Sequence, residues 1–333
     1  MHLELVLPGL LGGGSDRPLP ALELLLARGR RAEGPCEDLE SWLFRGFDVK
    51  SETLPAGALA ALALGLEPGE RFWLRADPVH LRADRDRLLL FPSPAFALAS
   101  EESAQLAGAL ERHFSGLFEL KALRPDLWVI ATADETPLGA KAPLELVGQN
   151  VDSNLPGKRW HALLNEIQMA LYQHPVNTER EARGEPVVNS VWLWGGGRLP
   201  RAAASRWKSV AASDPVALGL ARLSGARHGL ARASADEWLD GAPADGRHLV
   251  VLDAARAPRA LGDAAALARA LHALEERWFA PLLSALRSER IGMVTLHAPE
   301  AGLSFETIRG DLRRFWRRPR PLSAYASARG PST

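Results

Sequence analysis

Cysteine is nearly absent from this chain, Cys36 being the only one in 333 residues. No intrachain disulfide can form, and neither a Cys-rich zinc site nor a CxxC redox pair is available. Excess charge of either sign is missing as well, with 40 Lys+Arg against 40 Asp+Glu. That balance removes any global electrostatic reason to expect nucleic acid or a membrane as the main partner. Long apolar runs are lacking: LPAGALAALALGL is too short and too Gly-interrupted to span a bilayer as a helix. The opening MHLELVLPGLLGGG puts Glu4 where a secretory signal carries basic residues, and Pro and Gly break its apolar stretch. A soluble, cytoplasmic protein in a reducing compartment is the expectation. HExxH, GxSxG and EF-hand patterns are also absent, and the nine His are scattered without ligand spacing.

What is present is ordinary globular material, 47% hydrophobic and 24% charged, in a chain long enough for a main domain and a second module. LELVL is a short apolar run stopped by Pro8-Gly9, the pattern of a buried strand feeding a loop. ALELLLARGR reads as a helix, and Leu59 to Leu66 as another. RFWLRADPVHL and DRLLLFP read as strands around a polar turn, ESAQLAGALERHF as a helix and DLWVIAT as a strand. From Lys158 to Gln173, the residues Trp160, Leu163, Leu164, Ile167 and Leu171 fall on one helical face, and Pro175 stops the pattern. PVVNSVWLWGGGRLP reads as a strand entering a Gly-rich loop, and WKSVAASDPVALGLARLSG as a strand-turn-helix unit. RHLVVLD, a long helix over DAAALARALHALEERWFAPLLSAL, and the strand IGMVTLH follow. Strands alternating with helices predict an α/β protein with a mainly parallel sheet covered on both faces.

Few motifs carry chemistry. GLLGGGSD lacks the Lys-Ser/Thr of a P-loop and reads as a turn. Gly195-Gly196-Gly197, followed by Arg198, is expected outside the carboxyl end of a strand, where open α/β sheets place ligands. HPVNTEREARGEPVVN gathers His174, Asn177, Arg180, Arg183 and Asn189, either a clamp for phosphate or carboxylate or a helix end with a solvated basic face. Cys36 has acids on its carboxyl side, which blunt a thiol's nucleophilicity. RRFWRRPRP sets Arg313, Arg314, Arg317, Arg318 and Arg320 around Trp316, a pattern that suits an acidic partner or RNA but is more commonly solvated surface charge.

Taken together, these segments resemble the archaeal-type branch of the cofactor-independent phosphoglycerate mutases, within the alkaline phosphatase superfamily. The resemblance is carried mainly by HPVNTEREARGEPVVNSVWLWGGGRLP, and also by SDRPLPAL, LEPGERFWLRAD and WKSVAASDPVALGLARLSG. The outline is similar, too, to Rpf-type bacterial regulatory proteins. The resemblance implies an alkaline phosphatase-like core, here residues 1–65 and 185–325, and a smaller inserted α+β domain over residues 66–184. Arg75, His174, Asn177, Arg180, Arg183 and Asn189 match the family's polar positions, and with Arg198 they form the expected ligand-binding set.

The family's chemistry needs two divalent metals, Mn, Mg or Zn, and a nucleophilic Ser; its ligand positions here hold other residues. Pro8-Gly9 stands for Asp-Gly at the first strand's end, and Glu37-Asp38, or Cys36 one residue earlier, for the nucleophile motif. Pro258 and Gly262 replace an Asp-x-x-x-His pair, with Asp263 kept; His297-Ala298 replaces Asp-His, and Ile308 a later His. Pro, Gly, Ala and Ile have no side-chain donor for a metal. The reading is a non-catalytic or regulatory protein without cofactor, binding a phosphorylated small molecule or a protein partner, with nucleic acid not expected. The alternative is a working phosphoglycerate mutase or phosphatase with a relocated metal site drawn from Asp16, Asp38, Asp253, Asp263 and His297.

Overall fold

The computed structural model describes residues 1–12, 17–51, 53–133, 141–151 and 158–325. Its strands are β1 (His2–Val6), β2 (Arg30–Glu33), β3 (Phe72–Asp84), β4 (Arg87–Pro92), β5 (Phe118–Arg124), β6 (Leu127–Thr132), β7 (Ser190–Gly197), β8 (Ser209–Ala211), β9 (Arg227–Gly229), β10 (Arg247–Val251), β11 (Met293–Ala298) and β12 (Leu303–Ile308). Its helices are α1 (Pro20–Arg28), α2 (Leu39–Gly46), α3 (Ala56–Ala63), α4 (Ser100–His113), α5 (Lys158–Tyr172), α6 (Pro175–Ala182), α7 (Pro215–Leu223), α8 (Ala235–Gly241), α9 (Arg256–Leu261), α10 (Ala264–Leu274) and α11 (Ala280–Arg287). The chain divides into two compact units, Met1–Val49 with Ala202–Thr333, and Lys50–Arg201.

The first unit is built on a sheet in the order β2-β12-β11-β1-β10-β8-β9. β11, β1, β10, β8 and β9 run parallel, and β12 and β2 add an antiparallel edge. Strand alternation sorts the two faces. Leu3, Leu5, Val250, Val294 and Leu296 point to one side and join Leu22, Leu25, Leu271, Leu282 and Leu286 of α1, α10 and α11 in one core. His2, Glu4 and His297 point to the other, where Trp42 of α2 lies 5.0 Å from the His297 ring. The expected long helix after residue 263 is real but interrupted: a π turn, Glu275–Phe279, joins α10 to α11. β12 carries no expectation from the sequence, and it covers the edge of β11.

The second unit holds an antiparallel sheet in which β3 is central, paired with β4, β6 and β7, while β5 extends β6. Helices α4 and α5 cover one face through Leu106, Leu110, Trp160, Leu164 and Ile167 on Leu74, Trp128 and Ile130. Helix α3 covers the other through Ala58 and Ala61 on Trp73 and Val129. It lies so close that a Cβ on Gly57 would sit 2.6 Å from the Leu74 backbone. The strand ending in Gly195–Gly197 departs from expectation. It pairs with β3 and not with the parallel sheet, and the three glycines are strand residues, buried, with Gly197 opposite Trp73. A glycine is needed at Gly195, where φ is +59° and a Cβ would come within 2.6 Å of the Ala56 side chain. Among the described residues, no helix is long and apolar enough to cross a membrane.

Candidate functional site

In parallel sheets, ligands gather outside the carboxyl ends of the strands. There, in the first unit, β1 runs into Pro8-Gly9. Gly9 holds φ at +77°, and a Cβ on it would meet the Ala255 carbonyl at 2.8 Å, so the turn lies flat against the start of α9. The Gly9 N–H donates to Glu300 Oε1 at 3.2 Å, and Arg259 Nε donates to the Gly9 carbonyl at 3.1 Å. One turn earlier on α9, Arg256 donates to both oxygens of Glu40 on α2, at 2.9 and 2.7 Å. Glu40 is buried, so this fork is a largely desolvated pair. Asp214 caps α7 by accepting from Ala217 N at 2.8 Å. Burial first, and then the Glu40 carboxylate, push the Asp214 carboxyl up to about 6; the Ala217 N–H and Arg256 act against them, and Asp253 adds to the rise. Glu40, Asp214, Asp253 and Arg256 thus form one electrostatic cluster.

A second polar centre lies on the face of the sheet. Glu4, in the middle of β1, is 1% exposed. Its carboxylate pairs with His297 Nε2 at 3.0 Å and accepts from Arg206 at 3.0 Å and from Arg247 at 3.0 Å. Burial works to raise its pKa, but the His297 bond and the charges of Arg206, His297 and Arg247 outweigh it and hold Glu4 at about 2. Arg206 is itself stacked over Trp207 at 4.6 Å.

The residues expected near the nucleophile sit around the start of α2. Cys36 is exposed, Glu37 takes Arg45 Nε at 3.0 Å, and Asp38 caps the helix by accepting from Ser41 N at 2.6 Å. Asp263 caps α10 through Ala266 N at 2.8 Å. Three of the candidate ligands, Asp38, Asp263 and His297, are therefore each engaged in a cap or an ion pair. Asp16 lies outside the described residues.

The expected anion-binding set belongs to the second unit, and its members are engaged with the protein itself. Arg75 forks onto Asp77 Oδ1 at 2.9 and 2.7 Å, and Asp77 also accepts from Trp194 Nε1 at 2.7 Å. Asn177 bonds the Leu171 and Val188 carbonyls and the Val188 N–H. Arg180, 1% exposed, reaches Glu102 at 2.6 Å and the Pro186 carbonyl at 2.8 Å, and Arg183 meets the same Glu102 at 2.5 Å. His174 Nδ1 accepts from Val176 N at 3.3 Å to cap α6, and burial and then Arg112 lower its pKa. Asn189 closes a two-way bond with the Leu81 backbone at 2.7 and 2.8 Å. Arg198 donates to the Glu70 carbonyl. The structure brings Arg180 and Arg183 together on Glu102, tying α6 to α4, while Arg75, Asn189 and Arg198 make separate contacts with Asp77, Leu81 and Glu70. The Glu40–Arg256 cluster is what sequence reasoning missed; Asp214 could have been flagged by its helix-cap position before Pro215.

No family model matches the sequence. Over 230 residues the chain is 25% identical to the Geobacter sulfurreducens "Probable 2,3-bisphosphoglycerate-independent phosphoglycerate mutase", covering 58% of this chain and 56% of that one. Over 205 residues it is 24% identical to the Methanosarcina mazei 2,3-bisphosphoglycerate-independent phosphoglycerate mutase, covering 55% of this chain and 49% of that one. The chain thus spans about half the length of the curated relatives it matches. A solved protein from Pyrococcus horikoshii shares the fold, with a TM-score of 0.56 at 15% identity over 98% of this chain and 91% of that one. These relatives are distant homologues, so the scaffold is phosphoglycerate mutase-like, and the fold is α/β with a mainly parallel sheet.

Proposed function

We propose that this chain is a non-catalytic, regulatory protein on a phosphoglycerate mutase-like scaffold that binds a phosphorylated small molecule. The observation that carries the reading is Arg256, whose guanidinium occupies both oxygens of buried Glu40 beside Asp214. In a metal-dependent phosphomutase, carboxylates and imidazoles hold divalent cations that polarise the phosphoryl group and activate the nucleophile. The donors here do not fit two such cations. Asp38 and Asp263 are spent on helix caps, His297 on Glu4, and Pro8, Pro258, Gly262, Ala298 and Ile308 have no side-chain donor. A guanidinium neutralises carboxylates permanently, but it neither takes up water as a nucleophile nor opens a coordination position. The polar contacts of Cys36's neighbours point the same way, since Glu37 and Asp38 serve Arg45 and α2.

A second reading, a phosphoglycerate mutase or phosphatase with a relocated Mn, Mg or Zn site, draws support from the gathering of Glu40, Asp214 and Asp253 in one electrostatic cluster. A coupled assay interconverting 3- and 2-phosphoglycerate with added Mn²⁺ separates the two. The proposed reading expects no turnover above a protein-free blank. Turnover that disappears in Glu40→Gln establishes the second reading and ends the first.

A further inference from the structure

A pocket that shares only Asp253 with these centres lies in the first unit, where three neighbouring parallel strands end. Leu252, Asp253 and Ala254 directly follow β10, Ser213 lies two residues beyond β8, and Ala231 to Ala233 follow β9 closely. The last turn of α10 and the π turn line it with Ala273, Leu274, Arg277 and Trp278. Its volume is about 220 Å³. A cavity of about 150 Å³ holds benzene, so this one accommodates a molecule of about ten non-hydrogen atoms. Leu274 and Trp278 are buried and supply an apolar floor.

Two arginines, Arg232 and Arg277, line the same pocket and are exposed. Neither has a carboxylate or carbonyl acceptor among the described residues, whereas Arg75, Arg180, Arg206, Arg247 and Arg256 each hold an acid. The single acid in the lining, Asp253, leaves the pocket with one net positive charge. Two unpaired forks at the rim of an apolar cavity suit an oxyanion head with a short apolar body, because each guanidinium can bind such a head bidentately. The location, outside the ends of adjacent parallel strands, is where open α/β sheets bind ligands. A π turn in the wall is a feature that recurs at functional sites.

We propose that this pocket binds a small organic oxyanion, a phosphate ester or carboxylate of about ten non-hydrogen atoms, through Arg232 and Arg277. It rests on the binding half of the function proposed above and is independent of whether the chain turns over phosphoglycerate. The test is isothermal titration of the full chain with phenyl phosphate and with phenylacetate at constant ionic strength. Saturable binding is expected, weakened about tenfold or more by Arg277→Gln and by Arg232→Gln, a loss of about 1.4 kcal/mol each. Both side chains are exposed and unpaired, so both variants should melt like the parent. Ala273→Leu, which fills the cavity without changing charge, should abolish binding, and Arg318→Gln, a surface arginine outside the lining, should leave it intact. Preference for phenyl phosphate assigns a phosphate ester, and preference for phenylacetate a carboxylic acid. No heat with either probe up to about 10 mM, or equal weakening by Arg318→Gln and Arg277→Gln, would overturn the proposal while leaving the metal and turnover results untouched.

Discussion

Replacing Glu4 by Gln tests the electrostatics of the central strand. The carboxylate is 1% exposed and meets three partners at 3.0 Å, His297, Arg206 and Arg247. Its pKa is about 2 in the folded chain against an ordinary 4.5. A depressed carboxyl pKa stabilises the fold above the unfolded value, and the gain is lost as pH falls through the folded one. The shift corresponds to about 3 kcal/mol at neutral pH. Arg206 and Arg247 are 46% and 47% exposed and can turn back to water, so the net figure is nearer 2 kcal/mol. For a unit of this size that is a fall in melting temperature of about 4–8 °C at pH 7. The wild type should in addition lose stability between pH 4.5 and 2 along a limb that the Glu4→Gln variant lacks. Calorimetric melts across that range read both effects. A Glu4→Gln chain melting within about 1 °C of wild type at pH 7, with a parallel acid limb, would refute the reasoning.

Other sites give further tests. Asp214 has its carboxyl raised to about 6, so its contribution is complete below the ordinary value of 3.8 and is lost as pH climbs through 6. Asp214→Asn can still accept from Ala217 N and does not titrate; from pH 5 to 7.5 the variant should therefore gain on the wild type by about 1.4 kcal/mol in urea unfolding, and an unchanged difference would count against the cluster. Arg180→Gln removes the buried guanidinium from Glu102 and the Pro186 carbonyl while Arg183 stays on Glu102 and Glu185, and should cost about 2 kcal/mol with early loss of the second unit in proteolysis. If Arg180 were instead held for a ligand, the variant would fold normally and lose only binding.

Much of the fold is legible because local signals agree with it. LELVL, RHLVVLD and IGMVTLH are apolar runs between turn residues, and they form the adjacent strands β1, β10 and β11. The spacing of Trp160, Leu164, Ile167 and Leu171 gives the buried face of α5. What fails is long-range. SVWLWGGG is buried throughout, so it shows no alternation to say which sheet it joins, and β9 is only three exposed residues. The partner of β7, β3, is recognisable as a strand, but nothing local in either segment marks the pairing of Trp194 with Arg75.

The site is less legible for a related reason. Glu40 and Arg256 are 216 residues apart and carry no local mark of their pairing. Asp38 and Asp263 have the chemistry of metal ligands, yet each precedes a helix by one residue, and the shorter explanation, a cap, is the role they fill. The polar set from His174 to Asn189 reads in the sequence either as a ligand clamp or as a helix end, because the same forked donors that suit phosphate also suit an acid and a backbone carbonyl, as Arg180 does with Glu102 and Pro186.

The central claim is that arginine has taken over the charge that metals would supply at the ends of β1 and β10. Its most direct test is metal content after saturation with Mn²⁺ and exhaustive dialysis, compared between wild type and Arg256→Met. The account predicts substoichiometric metal in the wild type. One or two tightly held Mn²⁺ per chain in the wild type, lost in Glu40→Gln, would contradict it.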